Sequence, residues 1–161
     1  MRTPARMTPE DVFDAGAVYF ADPAIVHLSC PRCGHEARYR IARTETECLR
    51  CRETLQADAQ QADWRRYVIL GSDLLRQWDN TVPAVPLTTS ATAATRPHAL
   101  EIAPTDENGL GTTSWALPTK LRTLNKTSLF KEQRRGRLSP EDLSRLREAV
   151  ITALFGAPLD S

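Results

Sequence analysis

The sequence has no long hydrophobic run near its start, and this absence argues against a membrane-spanning helix. The longest uncharged stretch there, residues 15–21, is far shorter than the roughly 18 apolar residues that such a helix needs. The first twenty residues also carry the acidic side chains of Glu10, Asp11 and Asp14, which do not fit a secretory signal peptide. We therefore expect a cytoplasmic protein.

The sequence also has almost no surplus of charge of either sign. Its 161 residues include 21 Lys and Arg against 20 Asp and Glu, so the net charge is +1. This balance excludes a chain-wide basic field, and any basic surface must come from local segregation of charge. With 41% hydrophobic and 25% charged residues, the composition indicates one globular domain that could carry a small attached module.

Cysteine is absent outside one short segment, where it is dense. The four cysteines form two Cys-x-x-Cys pairs separated by fourteen residues, and they are Cys30, Cys33, Cys48 and Cys51. A secreted disulfide scaffold spreads its cysteines over the chain, so this clustering argues against one. Two tight turns that each aim two thiolates at one ion fill the tetrahedron of a closed zinc site. We predict one structural zinc ion per chain; paired disulfides or a redox Cys-x-x-Cys are the alternatives.

The residues around the cysteines refine this prediction. Gly34 directly follows the first pair and can take the positive φ that such a turn often requires. Arg52 stands at the equivalent place after the second pair, where a glycine would be usual. His27 and His35 flank the first pair, and we interpret them as surface residues because four cysteines already complete the ligand set. The stretch between the pairs is predicted to form the hairpin of a zinc ribbon.

Short apolar runs separated by proline and glycine predict a mainly-β chain. Strands are predicted at residues 15–21, 24–29, 67–70, 81–87, 99–102 and 114–117, a pattern typical of a small barrel or a strongly bent sheet. A C-terminal helix is predicted to begin after the capping residue Ser139, with Pro140 at its first position. Apolar residues then recur at helical spacing from Leu143 to Leu154, and Gly156 ends the helix.

Seven short segments stand in a distinctive order along the chain. They are GAVY at 16–19, YVILGSD at 67–73, VPLTTS at 85–90, PHALEI at 97–102, NGL at 108–110, KLRTLNK at 120–126 and GRLSPE at 136–141. In this order they resemble the MazF/PemK family of toxin endoribonucleases. The resemblance covers some ninety residues together with the opening strand.

The resemblance implies a particular fold and domain organisation. The fold expected is α+β and mainly β, an SH3-like small barrel of the MazF/PemK/CcdB type with a C-terminal helix and an inserted zinc ribbon. The ribbon lies where the family has the loop that shapes its RNA groove. We therefore expect a flexible tail at 1–14, a barrel domain formed by 15–29 and 62–158, and the inserted ribbon and connector at 30–61.

The resemblance also implies a cleavage site. Family members cleave single-stranded RNA without a catalytic metal, using the ribose 2′-hydroxyl as the nucleophile. The family's catalytic arginine falls on Arg65, and its threonine falls on Thr88; Arg66 replaces the usual proline. A guanidinium can stabilise the charge on the phosphorane oxygens, and the threonine can hydrogen-bond the phosphate or orient the 2′-hydroxyl. The family's Glu-x-x-Gly-x-Arg-Pro approach is missing, so the choice between the two arginines is open, with Arg65 preferred. Solvated side chains at a strand start are the alternative.

One segment is strongly basic. Residues 120–137 contain seven basic residues and a single acidic one, Glu132, which gives a local charge of +6. Such a patch is typical of phosphate binding, although a solvated surface or a site for an acidic antitoxin would look the same. By the resemblance Arg122 is the preferred RNA contact, and Lys120 and Arg66 are further candidate substrate-binding residues. Trp64 is a candidate for base stacking, whereas Trp115 is expected in the core.

Three functions are compatible with these features. The first is an endoribonuclease toxin that forms a homodimer and has an antitoxin partner. The second is a non-catalytic nucleic-acid-binding protein with the same fold, and the third is a zinc-stabilised module that docks a protein partner. The first requires an arginine and Thr88 to converge across neighbouring strands, the second requires only the basic patch, and the third requires neither.

Overall fold

The computed structural model describes residues 14–41, 44–56, 64–71 and 81–156. Its strands and helix are β1 (Ala17–Ala21), β2 (Ile25–Ser29), β3 (Glu36–Arg40), β4 (Glu45–Glu47), β5 (Thr54–Gln56), β6 (Arg65–Ile69), β7 (Thr81–Thr88), β8 (Leu100–Ile102), β9 (Ser114–Ala116), β10 (Arg122–Asn125), β11 (Arg134–Arg137) and α1 (Pro140–Phe155). The tail predicted at 1–14 lies outside the described residues, apart from Asp14. The mainly-β fold with a C-terminal helix is confirmed.

Seven strands form one antiparallel sheet in the order β11-β1-β6-β7-β9-β8, and β10 pairs with β7 beside β9. Because β7 pairs with β10 through its first half and with β9 through its last two residues, the sheet bends into a half-barrel. Pro86 falls between these two paired segments, where β7 needs no donor toward that edge. Its carbonyl still accepts a hydrogen bond from the Leu117 amide at 3.0 Å.

The two faces of this sheet bury separate apolar clusters, because successive side chains of a strand point to opposite faces. On one face Val18, Val68 and Val85 lie side by side across β1, β6 and β7. Helix α1 covers this face, which adds Leu138, Leu143, Leu146 and Val150 to the cluster. The other face buries Tyr19, Tyr67, Ile69, Val82, Leu124 and Leu129.

Helix α1 begins and ends as predicted. The Ser139 hydroxyl accepts a hydrogen bond from the Asp142 amide at 3.1 Å, and Gly156 follows the last turn with φ +81°. Leu154, predicted on the buried face, is 53% exposed, because the buried contacts of the helix end at Val150. No helix in the described part of the chain is long and apolar enough to cross a membrane.

The cysteine segment forms two small hairpins rather than one. β3 pairs with β2, and β4 pairs with β5, so each Cys-x-x-Cys pair lies in the turn of its own hairpin. The prediction that the stretch between the pairs folds back on itself is therefore wrong. The two hairpins share a small core of Val26, Tyr39, Ile41 and Leu55 with the sulfurs of Cys30 and Cys48.

A buried asparagine organises the loop after β8. The Asn108 side chain accepts hydrogen bonds from the amides of Thr105 at 2.9 Å and Leu110 at 3.1 Å, and it donates one to the Ala103 carbonyl at 2.9 Å. Asn108 is fully buried, so these bonds satisfy a side chain that would otherwise be costly to bury. These hydrogen bonds make the loop after β8 a fixed part of the fold.

Two glycines bring this loop into backbone contact with β11. A Cβ on Gly136 would overlap the carbonyl oxygen of Glu107, and a Cβ on Gly109, whose φ is +64°, would overlap the carbonyl of Arg135. Both neighbours are backbone atoms that cannot move aside. The contact therefore fixes the position of β11 and of the arginines that β11 carries.

We expect Gly136→Ala to lower the free energy of unfolding by on the order of 2–3 kcal/mol, because the added methyl must displace backbone. Chemical denaturation of the full chain measures this change. Gly71→Ala is the matched control, since its Cβ would meet only the Pro83 ring at an ordinary 3.7 Å. Equal stability of the two variants would contradict the proposed contact.

Candidate functional site

The four cysteine sulfurs converge at one point between the two hairpins. The Sγ atoms of Cys30 and Cys51 are 3.6 Å apart, as are those of Cys33 and Cys48, and all four lie within 4.8 Å of one another. Sulfurs about 2.3 Å from a zinc ion at the corners of a tetrahedron are about 3.8 Å apart, so this spacing suits such an ion. None of the four is disulfide-bonded. The cluster can therefore hold a metal ion.

The backbone of the two Cys-x-x-Cys turns follows the same pattern. The Gly34 amide donates to the Cys30 carbonyl at 2.9 Å, and the Arg52 amide donates to the Cys48 carbonyl at 3.0 Å. Gly34 has φ +76°, as predicted, and Arg52 has φ +64° although it is not a glycine. A side chain in this region carries strain, so the second turn is held in shape by its surroundings.

The surroundings of Cys48 and Cys51 shift the pKa values of these two thiols in opposite directions. Backbone hydrogen bonds lower the pKa of Cys48 to about 6, which makes it a thiolate at neutral pH. A backbone hydrogen bond from Glu53 also favours the Cys51 thiolate, but burial and the three neighbouring sulfurs outweigh it and raise the pKa of Cys51 to about 12. Four negative sulfurs at this spacing therefore need a cation among them.

Histidine contributes nothing to this cluster. Among the described residues, the four cysteines are the only group of three or more His, Cys, Asp or Glu side chains placed to hold a metal ion. His27 instead lies on β2, where its Nε2 is 3.9 Å from a carboxylate oxygen of Glu36 on β3. The interpretation of His27 as a surface residue agrees with this position.

The first of the two hairpins is fixed to the barrel by polar contacts of β3. The Arg38 guanidinium of β3 stacks on the Phe130 ring at 3.7 Å and forms an ion pair with Glu132. A backbone hydrogen bond and this guanidinium hold the pKa of Glu132 below its usual range. The buried carboxylate of Asp22, just after β1, accepts from Arg40 at 2.6 Å. The cysteine segment therefore has a defined position beside the barrel.

A second candidate site is the pocket at the shared end of β6 and β7. Eight residues line it, and they are Phe20, Trp64, Arg65, Arg66, Leu87, Thr88, Thr89 and Ser114. The structure thus brings Thr88 close to Arg65 and Arg66, which precede it by more than twenty residues in the sequence. Ser114, Thr89 and Phe20 are lining residues that the sequence analysis did not single out.

Strand register distinguishes the two arginines of this pocket. β6 and β7 pair with Arg66 opposite Leu87, and continuing that register by one residue puts Arg65 opposite Thr88. Directly opposed residues of an antiparallel pair lie on the same face with their Cα atoms about 4.5–5.5 Å apart. Arg66, one position further, belongs to the other face of β6, where Phe20 is its neighbour on β1.

The hydroxyl of Thr88 has one hydrogen bond that fixes its role. Its Oγ1 accepts from the Ser90 amide at 3.2 Å. Since a hydroxyl has one proton to give and two lone pairs, this bond leaves the Thr88 O–H proton to donate elsewhere. Trp115 is opposite Thr88 on β9 and is half-buried, not in the core as expected.

In the folded chain, some of the basic residues of the 120–137 segment are paired with acidic side chains. Asp14 binds Arg134 through two hydrogen bonds of 2.8 and 3.2 Å, and it lies 3.3 Å from the Arg137 Nε. Glu132 is paired with Arg38 from β3. Asp14, which is distant in sequence, therefore neutralises part of the +6 of this segment, whereas the segment's own acid is occupied by an arginine from outside it.

Lys120 and Arg122, predicted to bind substrate, do not line the pocket. Arg122 opens β10 opposite Ala84, four residues before Thr88 on β7, which is a distance of about 13 Å along that strand. Lys120 ends a short 3-10 turn, Pro118–Lys120, and is exposed. A role for either residue in RNA binding stays a prediction.

The half-barrel with its C-terminal helix defines a class of protein, the mainly-β MazF/PemK-like fold. A family model described as PemK-like, MazF-like toxin of type II toxin-antitoxin system matches residues 46–154. The chain therefore belongs to this family. A comparison with curated proteins finds no significant match.

Three solved structures are similar to this chain to different degrees. An endoribonuclease in complex with its cognate antitoxin from mycobacterial species has a TM-score of 0.52 and 20% identity, over 89% of this chain and 95% of its own. A second mycobacterial endoribonuclease has a TM-score of 0.47 and 24% identity, over 56% of this chain and 80% of its own. MazE-MazF from Deinococcus radiodurans has a TM-score of 0.49 and 15% identity, over 89% and 96%. The first of these supports the shared fold.

Proposed function

We propose that this protein is an endoribonuclease toxin of a type II toxin–antitoxin system and that it cleaves single-stranded RNA without a catalytic metal. Membership of the PemK-like, MazF-like toxin family supports the class of function. The observation that carries the site is that Arg65 and Thr88 line one pocket, at the end of β6 and β7 where the strand register, extended by one residue, puts them opposite each other. Arg65 and Thr88 are the proposed catalytic residues.

In this proposal the ribose 2′-oxygen forms a bond to the adjacent phosphorus while the bond from phosphorus to the next 5′-oxygen breaks. The products are a 2′,3′-cyclic phosphate and a free 5′-hydroxyl. The 2′-hydroxyl proton passes to solvent, and the departing 5′-oxygen takes a proton from solvent. Arg65 stabilises the charge that develops on the phosphoryl oxygens, since a guanidinium keeps its proton at neutral pH. The free O–H of Thr88 donates to the phosphate or orients the 2′-hydroxyl.

The proposed ion in the cysteine cluster is a structural zinc, one per chain, bound by Cys30, Cys33, Cys48 and Cys51. Four thiolates leave no coordination position for water or substrate, so this ion takes no part in the cleavage. Its proposed role is to hold the two hairpins together, because their shared apolar core is small. The division into an inserted ribbon and connector at 30–61 and a barrel domain formed by 15–29 and 62–158 stays a proposal, with the difference that β2 pairs with β3 and packs with the ribbon.

We further propose that the protein is cytoplasmic, acts as a homodimer and is bound by a separate antitoxin chain. The antitoxin proposal is supported by the mycobacterial endoribonuclease of similar fold that was solved with its cognate antitoxin. Single-stranded RNA is the proposed substrate.

A substrate-based experiment tests the chemistry. We expect the zinc-loaded protein to cut an end-labelled, unstructured RNA pool, with brief EDTA treatment leaving the rate unchanged while metal analysis shows that zinc is retained. Once the cut position is mapped, a single 2′-deoxy substitution at that nucleotide should abolish cutting, because the nucleophile is gone. Cutting of the 2′-deoxy substrate would contradict 2′-hydroxyl attack. No cutting of any RNA by the folded protein would favour a non-catalytic binding protein.

A further inference from the structure

One aromatic ring at the edge of the pocket has two arginines and a tryptophan around it. The Phe20 ring centroid is 5.3 Å from that of Trp64, 5.9 Å from the Arg66 Cζ and 5.6 Å from the Arg135 Cζ. We call these four residues the Phe20 cluster. They come from three neighbouring strands and their flanks, since β1 lies between β6 and β11.

The two arginines of the Phe20 cluster are not neutralised. Among the residues that the structure describes, neither Arg66 nor Arg135 has a carboxylate partner, whereas Arg134 and Arg137 beside them both pair with Asp14. The Arg66 Nε is buried and has no hydrogen-bond partner within the described chain. A buried donor without a partner is costly, so a ligand that accepts a hydrogen bond there would be bound favourably.

Trp64 gives this cluster an exposed aromatic surface. The side chain packs on Phe20 on one side, yet 45% of the residue remains exposed. An exposed indole beside unpaired guanidinium groups is the combination that binds single-stranded nucleic acid, because bases stack on aromatic rings while phosphates pair with arginine.

The Phe20 cluster adjoins the proposed cleavage pair without overlapping it. Phe20, Trp64 and Arg66 line the same pocket as Arg65 and Thr88. Arg66 points to the opposite face of β6 from Arg65, because neighbouring side chains of a strand alternate. Because the pocket at this end of β6 is nevertheless lined by both arginines, a strand of RNA that reaches Arg65 and Thr88 would place an adjoining nucleotide at the cluster.

We propose that the Phe20 cluster is a nucleotide-binding subsite, in which the base adjoining the scissile phosphate stacks on Trp64 and its phosphate contacts Arg66 and Arg135. This inference rests on the proposed function for the identity of the ligand as single-stranded RNA. It adds Phe20, Trp64 and Arg135 to the substrate-binding residues. The subsite contributes to affinity and to the choice of cleavage position, and Arg65 and Thr88 carry the chemistry.

Binding to RNA that cannot be cut tests the subsite separately from cleavage. The probe is a fluorescently labelled, randomised single-stranded RNA with a 2′-O-methyl group on every ribose, titrated with the zinc-loaded full chain at several salt concentrations. We expect Trp64→Leu to weaken binding about tenfold or more. Arg135→Ala should also weaken binding and make the salt dependence shallower by about 0.7 in the log–log slope, the value for one lost phosphate contact. Arg147→Ala, an equal loss of charge at an exposed position of α1, is the matched control and should bind like the wild type.

Cleavage kinetics of the same variants on unmodified RNA separate the two proposals. With both correct, Trp64→Leu and Arg135→Ala raise KM and leave kcat within about twofold, because neither touches the reacting atoms. Wild type that binds through these residues but does not cut would support the subsite and overturn the nuclease. Wild type that cuts, with both variants binding RNA as tightly as the wild type, would overturn the subsite alone. If the two variants lost binding to an acidic peptide but bound RNA like the wild type, the assignment of the cluster to RNA would be overturned. Thermal unfolding of each variant confirms that it is folded.

Discussion

Thr88→Val and Arg65→Ala are each expected to lower kcat for RNA cleavage by about 10²–10³, the typical cost of losing one preorganised donor from an active site. Valine keeps the shape of threonine and its place at the end of β7, so the loss reports the hydroxyl alone. Alanine at position 65 removes the guanidinium opposite that hydroxyl. Single-turnover cleavage of a saturating labelled RNA measures the chemical step for both variants.

Because of the register of β6 and β7, we expect different kinetic effects from substitution of the two adjacent arginines, Arg65 and Arg66. Arg66→Ala should act mainly on KM, because Arg66 lies on the other face of β6 next to Phe20. Arg65→Lys should not restore the rate, since a lysine cannot present two fixed donors to the phosphoryl oxygens. Thr127→Val, an equal change at an exposed residue outside the pocket, is the control for Thr88→Val and should be fully active. A larger loss of kcat in Arg66→Ala than in Arg65→Ala would reverse the assignment.

The strands that were predictable from sequence are those with a local apolar signature. β1, β6 and β7 are buried on both faces. Their runs of Val, Ile, Tyr and Ala therefore predict strands from the local sequence alone. β11 has the sequence Arg-Arg-Gly-Arg and no such signature. It is a strand because it pairs with β1, and Gly136 allows its backbone to contact the loop at Asn108; neither partner is visible in the sequence of β11.

The candidate sites were predictable to different degrees for the same reason. The cysteine cluster depends on spacing within two short turns, and its convergence follows from the sequence. The neighbourhood of Arg65 and Thr88 depends on strand register, which the family resemblance supplied. The Phe20 cluster needs the order β11-β1-β6, so Phe20 and Arg135 could not be assigned together beforehand.

The charge of the 120–137 segment is a case in which the local sequence pattern overestimates the positive charge of the folded surface. Asp14 precedes Arg134 by 120 residues, yet it binds that side chain through both carboxylate oxygens. A sum of charges over this segment of the sequence does not include such a distant partner. We therefore expect Arg135, which has no carboxylate partner among the described residues, to contribute more to the proposed RNA binding than its neighbours in β11.

Removal of the metal from the cysteine cluster is expected to unfold the two hairpins. The hairpins share a core of only a few apolar side chains, and the binding of a structural zinc ion contributes roughly 10–16 kcal/mol in zinc-finger peptides. Cys48→Ser should therefore reduce zinc from one ion per chain to near zero. It should also make the segment around residues 30–56 sensitive to protease, while the barrel core around Val68 and α1 remains folded. Metal analysis and limited proteolysis with mass spectrometry measure the two effects.

The control variants for this prediction are His27→Ala and His35→Ala. Both histidines flank the first cysteine pair, but the four sulfurs alone fill the tetrahedron, so both variants should retain one zinc ion per chain. Because the thiols must lose their protons to bind the ion as thiolates, zinc affinity should fall as the pH is lowered. A wild-type protein purified under reducing conditions that is folded at the hairpins yet free of metal would contradict the site. Two disulfides found by mass spectrometry under those conditions would show that the cysteines form paired disulfides, the alternative to a zinc site that the sequence left open.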